Sequence, residues 1–451
     1  MRRRPSGFVV IRFTASPREA GVLQVKMKIL FAFENPLPSA EADAEVFITT
    51  ARHLRPHLEA AWLHVPIATG DPALISGQAG MPVIPARAPA QPAFLRHFAC
   101  GATLGLRGAF HQADLVYTRN LWVAWTAILA GQRVVYDHYR PWPDQIPPLQ
   151  HWLYKLFSHP RFLGGICHSE YTRRKYIALG VPPEKLRCVH NGFDPIRFAE
   201  PLSPAAAKRL TGLPETAKTV VYTGRVNQKK GLELVIEAAK RLPDLVFVFV
   251  GSYGEGPIEE LARDVPNIRI IPWQEEATLG RYIQAADVLL IPPSLQPLAK
   301  FGSTVLPLKL FLYLGSGRPI LAGQTPDVTE ILRHDQNAWL CPPDSPEALA
   351  EGLRRLTADE ALAARLAAQA GADSLDYSWA ARAVKLIAAI ETWQEMASSP
   401  RPGLWGRAQT LAWAGQSRRW AAHLLRTGSV ILPPRASAAA RAEHAAGPGG
   451  A

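Results

Sequence analysis

The sequence predicts an α/β protein of two doubly wound, Rossmann-like domains facing across a cleft. Three observations carry this. The chain has 451 residues, too many for one ordinary core, so two domains are expected. Short β-branched and aromatic runs alternate with helical apolar stripes, which implies parallel sheets covered on both faces. The alternation occurs in two series, interrupted after His190-Asn191-Gly192-Phe193-Asp194 by a stretch containing Pro195, Pro201 and Pro204 that reads as a linker. The expected organisation is an extension over residues 1–26 (disordered, or ahead of the true start at Met27), a first Rossmann-like domain over 27–200, a second over 201–396, and a basic tail over 397–451.

In the first series residues 29–33 read as a strand and 42–54 as a helix stopped by Pro56. Residues 61–65 suggest a strand, and the Pro- and Gly-rich residues 72–92 resist assignment. Strands follow at 115–117, 134–136 and 163–167, with helices at 122–129 and 152–157. Ser169 has the residue type and position of an N-cap for a helix to Leu179. The second series has strands at 220–223, 246–250, 268–271, 288–291, 319–322 and 338–340. Two long helices follow, near 346–369 and 379–393.

Composition narrows the function classes. With 48% hydrophobic and 20% charged residues, the chain reads as globular rather than disordered. A net charge of +12 favours anionic partners such as nucleotides, nucleic acid or an acidic membrane surface. Nucleic acid is set aside, because no aromatic-basic binding surface is recognisable. Cys100, Cys167, Cys188 and Cys341 show no ligand spacing, so reduced thiols, no metal and a cytoplasmic setting are expected. No apolar run approaches the roughly 20 residues of a membrane span.

The tail is different in kind. From residue 397 to 442 it is rich in arginine, with Trp405, Trp413 and Trp420 among leucines, and has no acidic residue before Glu443. A basic amphipathic helix of this kind suits an anionic membrane interface. Packing on the first domain, or a solvated tail, is equally compatible with the pattern. Beyond Pro433 the Ala/Gly/Pro composition reads as disorder.

The chemistry centres on residues 219–231. A buried strand, 219–223, runs into Gly224-Arg225, a short loop ending in Lys230-Gly231, and then a helical stripe. This arrangement gathers backbone N–H groups and two cations at one spot, which suits a phosphate. A second strand, 246–250, ends in Gly251-Ser252-Tyr253-Gly254. A third stretch, 307–320, begins Pro307-Leu308-Lys309 and ends Gly317-Arg318-Pro319-Ile320.

Taken together, in this order and spacing, these three stretches resemble the C-terminal domain of GT-B glycosyltransferases of the glycosyltransferase family 4 (group 1) type. Val189-His190-Asn191-Gly192-Phe193-Asp194 with Phe198, and Cys167-His168-Ser169-Glu170-Tyr171, are similar to that family's linker and first-domain motifs. The resemblance implies a retaining transfer of a sugar from a nucleotide-diphosphate donor to a glycan or lipid-linked acceptor. It implies a diphosphate held at Gly224, Arg225 and Lys230, with Lys309 near the phosphate or sugar. Fixed cations at a leaving diphosphate stabilise the charge that develops there, so no metal and no separate cofactor are expected. Thr304 stands where the family has a sugar-contacting Glu, and Glu330 matches its Glu after the next strand, either orienting a helix or touching the sugar. In Val135-Tyr136-Asp137-His138-Tyr139 the residue matched to a catalytic position is His138, the other reading being a core histidine; Asp137 would point the other way, toward a helix cap. Two departures stand out. Leu312 replaces the Glu that accepts the ribose hydroxyls, and Pro36-Leu37-Pro38-Ser39 replaces a Gly-Gly pair after the first strand. A scaffold that binds sugar or nucleotide without turnover is the alternative those departures raise.

Overall fold

The computed structural model describes residues 24–398, except 40–41, 68–70, 87, 90–92, 107–112, 139, 255 and 296–305. Thr304, the N-terminal extension as far as residue 23 and the basic tail from residue 399 lie outside the described residues.

The described chain forms two compact units, each built on one parallel sheet. The first sheet contains β1 (Val25–Ala32), β2 (Leu58–Pro66), β3 (Val83–Ala86), β4 (Leu115–Thr118), β5 (Arg133–His138), β6 (Phe162–Cys167) and β7 (Leu186–Cys188). Its spatial order is β3-β2-β1-β4-β5-β6-β7. The crossover at β1 to β4 is the switch point at which ligands of doubly wound sheets sit, beyond the carboxyl ends of the strands. Every residue of β4 and β6 is buried, as expected for strands covered by helices on both faces. Ser169 caps the helix Glu170–Leu179 by accepting from the Thr172 amide, and the helix Ala42–Leu54 has the limits its pattern predicts. Residues 72–92, opaque in sequence, hold the helix Pro72–Ala79 and the edge strand β3.

Two glycines in β6 show how the sheet is packed. A Cβ on Gly164 would lie 2.2 Å from the Trp393 ring, and one on Gly165 would lie 2.3 Å from the His138 ring. Successive strand residues face opposite sides, so the Gly-Gly pair admits one large ring on each face. Trp393 belongs to the helix Trp379–Ser398, which the sequence reading assigned to the second domain. That helix groups with the first unit. Its stripe of Ala383, Leu386, Ile387, Ile390 and Trp393 is buried in the same cluster as Phe31 and Phe47, and the indole N–H of Trp393 donates to the Glu184 carbonyl at 3.0 Å. An amphipathic stripe shows that a face is buried; it does not show against which sheet.

The second unit holds Gly192–Pro293 and Leu308–Ser378. Its strands are β8 (Lys218–Thr223), β9 (Leu245–Ser252), β10 (Ile268–Pro272), β11 (Val288–Leu290), β12 (Ile320–Gly323) and β13 (Trp339–Cys341), in the order β10-β9-β8-β11-β12-β13. The long helix expected over 346–369 is broken into Pro346–Ala358 and Glu360–Ser374. Asp359 makes the break: it leaves helical geometry, and its carboxylate accepts from the Leu362 amide at 2.9 Å, capping the second piece.

Candidate functional site

In the second unit, the carboxyl ends of β8 and β9 meet at two glycines. Gly224 and Gly251 have φ of 122° and 118°, a region that side-chain-bearing residues rarely enter. The Gly224 amide donates to the Val250 carbonyl at 2.9 Å and the Val226 amide to the Gly251 carbonyl at 3.2 Å. A Cβ on Gly251 would lie 2.5 Å from the Gly224 carbonyl oxygen. We expect Gly251→Ala to displace the Gly224 turn, lowering stability by about 2 kcal/mol or more from strain and overlap. Thermal melting of the variant checks this.

Three cations converge on that turn. The Lys309 ammonium lies 3.5 Å from the centre of the Tyr222 ring and 3.0 Å from where a Gly224 Cβ would stand. The Arg225 guanidinium lies 4.9 Å from the centre of the exposed Tyr253 ring. Arg225 and Lys230 are exposed and Lys309 is half-buried. No carboxylate forms an ion pair with any of the three among the described residues. The surrounding protein and, next, the repulsion of Arg225 and Lys229 hold the Lys230 ammonium below its ordinary pKa. Burial, then Lys230, pushes Lys309 well below its own. Cations that destabilise one another without a counter-ion form a site for an anion. Gly231, at φ 69°, opens the helix Leu232–Lys240 with no side-chain cap, leaving amide donors of its first turn for the same anion.

The helix Leu308–Leu314 carries Lys309 and fixes it from below. Tyr313 is buried, and its hydroxyl accepts from the Thr223 amide at 2.8 Å, tying the helix to the end of β8. Gly315 lies against the Phe193 ring, which a Cβ there would meet at 2.3 Å. Leu312 is buried on this helix, so the position where the resemblance expects a carboxylate presents an apolar side chain. Glu330 closes the single 3-10 turn Val328–Glu330, its amide donating to the Asp327 carbonyl at 3.2 Å; no α-helix begins there for it to cap.

In the first unit the sheet's carboxyl edge carries a buried ion network. Asp137 Oδ2 accepts from the Tyr117 hydroxyl at 3.0 Å and from Arg119 Nε and Nη2 at 3.1 and 2.9 Å. Asp137 Oδ1 accepts from His168 Nε2 at 2.5 Å. Arg382, from the helix Trp379–Ser398, brings a guanidinium nitrogen to 3.8 Å and donates to the carbonyls of Val189 and His190. Burial alone would raise the Asp137 pKa, but Arg119, His168 and Arg382 outweigh it and hold the carboxyl well below its usual range. Burial lowers His168 to about 4 against the opposing pull of Asp137. The imidazole is therefore neutral at pH 7, its Nε2–H donating to an ionised carboxylate. The expectation that Asp137 points to a helix cap is corrected: it is the centre of this network.

His138 lies on the opposite face of β5 and is fully buried. Its ring centre lies 3.9 Å from that of Tyr176 and 4.7 Å from those of Tyr136 and Phe157. Neither ring nitrogen has a hydrogen-bond partner. The assignment of His138 to a catalytic position is corrected accordingly: it is a core histidine, because helices cover both faces of the sheet at this strand. Burial lowers its pKa to about 3, so the unfolded chain binds a proton between pH 6.5 and 3 that the fold does not. Stability from this group is complete above pH 6.5 and is lost as pH falls toward 3, on the order of 5 kcal/mol in all. His138→Phe is expected to retain the fold and flatten the acid side of a stability-versus-pH curve, measured by denaturant titration at several pH values.

Sequence reasoning missed Glu34, Arg119 and Arg382. Glu34 and Arg119 follow the ends of β1 and β4, and the strand-end rule was the signal that could have found them. Arg382 sits on a helix whose packing partner the sequence does not reveal.

Glycine turns at the strand ends of a doubly wound sheet, beside cations that have no ion-paired carboxylate among the described residues, are features suited to a nucleotide or phosphate. Two family models match the chain: Glycosyltransferase Family 4 over residues 44–197 and Glycosyl transferases group 1 over residues 205–372. The chain belongs to these group 1, family 4 glycosyltransferases, and its two parallel sheets are those of the GT-B fold. It is 24% identical to the amylovoran biosynthesis glycosyltransferase AmsK of Erwinia amylovora over 282 residues, 59% of this chain and 62% of AmsK. It is 26% identical to the phosphatidyl-myo-inositol mannosyltransferase of Mycobacterium tuberculosis over 245 residues, 52% of this chain and 61% of that protein. The chain thus spans about six tenths of the length of these curated relatives. Among solved structures, Anabaena HepE in complex with UDP and glucose has a TM-score of 0.64 at 18% identity, covering 83% of this chain and 100% of HepE.

Proposed function

We propose that the chain is a retaining glycosyltransferase that moves a sugar from a nucleotide-diphosphate donor to a glycan or lipid-linked acceptor of cell-envelope or exopolysaccharide synthesis. The observation that carries this reading is the convergence of Arg225, Lys230 and Lys309 on the Gly224 turn without an ion-paired carboxylate among the described residues. As the bond from anomeric carbon to phosphate oxygen breaks, the leaving diphosphate gains negative charge. Fixed cations stabilise that charge without reorganising. Three cations supply what a divalent metal supplies elsewhere, so turnover is expected to survive EDTA. The relatives' named roles in amylovoran and phosphatidyl-myo-inositol chemistry support a glycan or glycolipid acceptor.

Among the described residues no helix is long and apolar enough to cross a membrane. We propose a cytoplasmic enzyme that meets the inner leaflet peripherally, which flotation with anionic vesicles tests.

Leu312 supports a second reading, a GT-B scaffold that binds nucleotide without turnover, because a leucine cannot accept a ribose hydroxyl. One experiment separates the two. The chain is incubated with UDP- and GDP-hexoses, with and without EDTA, and nucleotide release is followed by phosphorus NMR. Release of UDP or GDP supports the transferase. Nucleotide binding without release supports the scaffold, and neither binding nor release contradicts both.

A further inference from the structure

The first unit holds a polar group that neither the ion network nor the donor site uses. Glu34 follows β1 at the sheet's carboxyl edge and is 9% exposed. Its Oε2 is buried without a hydrogen-bond partner, and its Oε1 lies 3.7 Å from His97 Nδ1. Beside it, Asn35 Nδ2 donates to Asp43 Oδ2 at 2.9 Å, and Arg96 Nη2 donates to Asn35 Oδ1 at 3.4 Å, so the Asn35 side chain is fixed from two sides. His97 is 36% exposed and opens the cluster to solvent. A buried carboxyl oxygen left unpaired is costly and rare in native proteins, which points to a hydrogen-bonding ligand.

We propose that Glu34, with Asn35, Asp43 and His97, forms a hydroxyl-recognition site for the acceptor sugar, the word acceptor resting on the glycosyltransferase reading above. The charged and titratable groups around Glu34 come from every neighbouring element. They are Asp43 on the helix Ala42–Leu54, Arg119 after β4, Tyr136 on β5, and Arg96, His97 and Cys100 on the helix Ala93–Leu106. Burial raises Glu34 to about 7, Asp43 adds to the rise, and Arg119 and Arg96 oppose it. Burial also lowers His97 to about 4, so at neutral pH the Glu34–His97 contact is not an ion pair. A carboxyl shared between its protonated and ionised forms can both donate to and accept from a hydroxyl. Asp43 and Arg96 bring opposite charges to Asn35, and Arg119 is paired with Asp137, so little net charge remains to select an anion or a cation. The cluster therefore fits a neutral polyol.

The test uses the full chain carrying carboxyl-labelled glutamate, with the Glu34 carbon signal identified by its loss in Glu34→Gln. Methyl glucoside, methyl mannoside and methyl galactoside are titrated separately. The expected result is a saturable shift of the Glu34 signal by at least one glycoside, weakened severalfold in His97→Ala. Where transfer to that glycoside is measurable, Glu34→Gln should raise its KM about tenfold or more. A Glu34 signal unmoved by all three glycosides, or moved no more than those of surface glutamates, would overturn the proposal. Nucleotide binding by the native chain, measured separately, decides the donor reading, so the two failures are distinguishable.

Discussion

Asp137→Ala is expected to cost the first unit about 3–5 kcal/mol, because it removes the carboxylate from between buried guanidinium groups. Arg119 and Arg382 are both nearly inaccessible to water, and Asp137 is their acidic partner. Without it, two like charges face each other at low dielectric. For a unit of about this size, melting should fall on the order of 10 °C. Asp137→Asn keeps the shape and loses the charge, so it should fall nearly as far, whereas Tyr117→Phe deletes one hydrogen bond to the ionised carboxylate and should cost about 1.5–3 kcal/mol. Calorimetric melting of the three variants checks the ranking, and an Asp137→Ala variant as stable as the native chain would contradict it. The pH dependence has a definite sign. Asp137 is depressed in the fold, so its contribution is lost as pH falls through its folded pKa. His138 and His168 are depressed too, and their contributions fade below pH 6.5. All three make acid destabilising.

The second large effect is on turnover. Arg225→Ala and Lys230→Ala should each lower kcat by about 10²–10³-fold, the size seen when one preorganised group is removed from a developing negative charge. Both are exposed side chains without ion pairs among the described residues, so neither variant should change stability by more than about 0.5 kcal/mol. That contrast is the check: a large kinetic loss without a stability loss assigns the cations to the reaction. If a variant retains native turnover with whichever nucleotide-sugar the native chain uses, that cation is not at the leaving group.

The placement of Gly224, Arg225 and Lys230 on one turn was legible in sequence because the arrangement is local: strand, turn and helix start are contiguous, and glycine at positive φ leaves a readable mark. Lys309 was legible only through the resemblance, since its approach to Tyr222 and Gly224 joins segments about 85 residues apart, as the numbering shows. His138 was misplaced for a reason built into parallel sheets. Period-two alternation says that Asp137 and His138 face opposite ways, but with helices on both faces both directions lead inward. Which face carried polar partners depended on Arg119, His168 and Arg382. The last arrives on a helix that returns to the first unit, bonding to Val189, 193 positions away in sequence. No local pattern encodes such a return. The alternation of strands and helices, by contrast, fixed most elements to within a few residues, because burial on both sheet faces forces continuous apolar runs.

The central claim is that the Gly224 turn binds a diphosphate. The most direct measurement is calorimetric titration of the native chain with UDP, GDP, uridine and guanosine, repeated for Lys309→Ala. One diphosphate is expected to bind at least tenfold more tightly than its nucleoside. That difference should shrink with added salt as charge is screened and be largely lost in Lys309→Ala. Equal affinity for nucleotide and nucleoside, or no binding of either diphosphate at millimolar concentration, would contradict it.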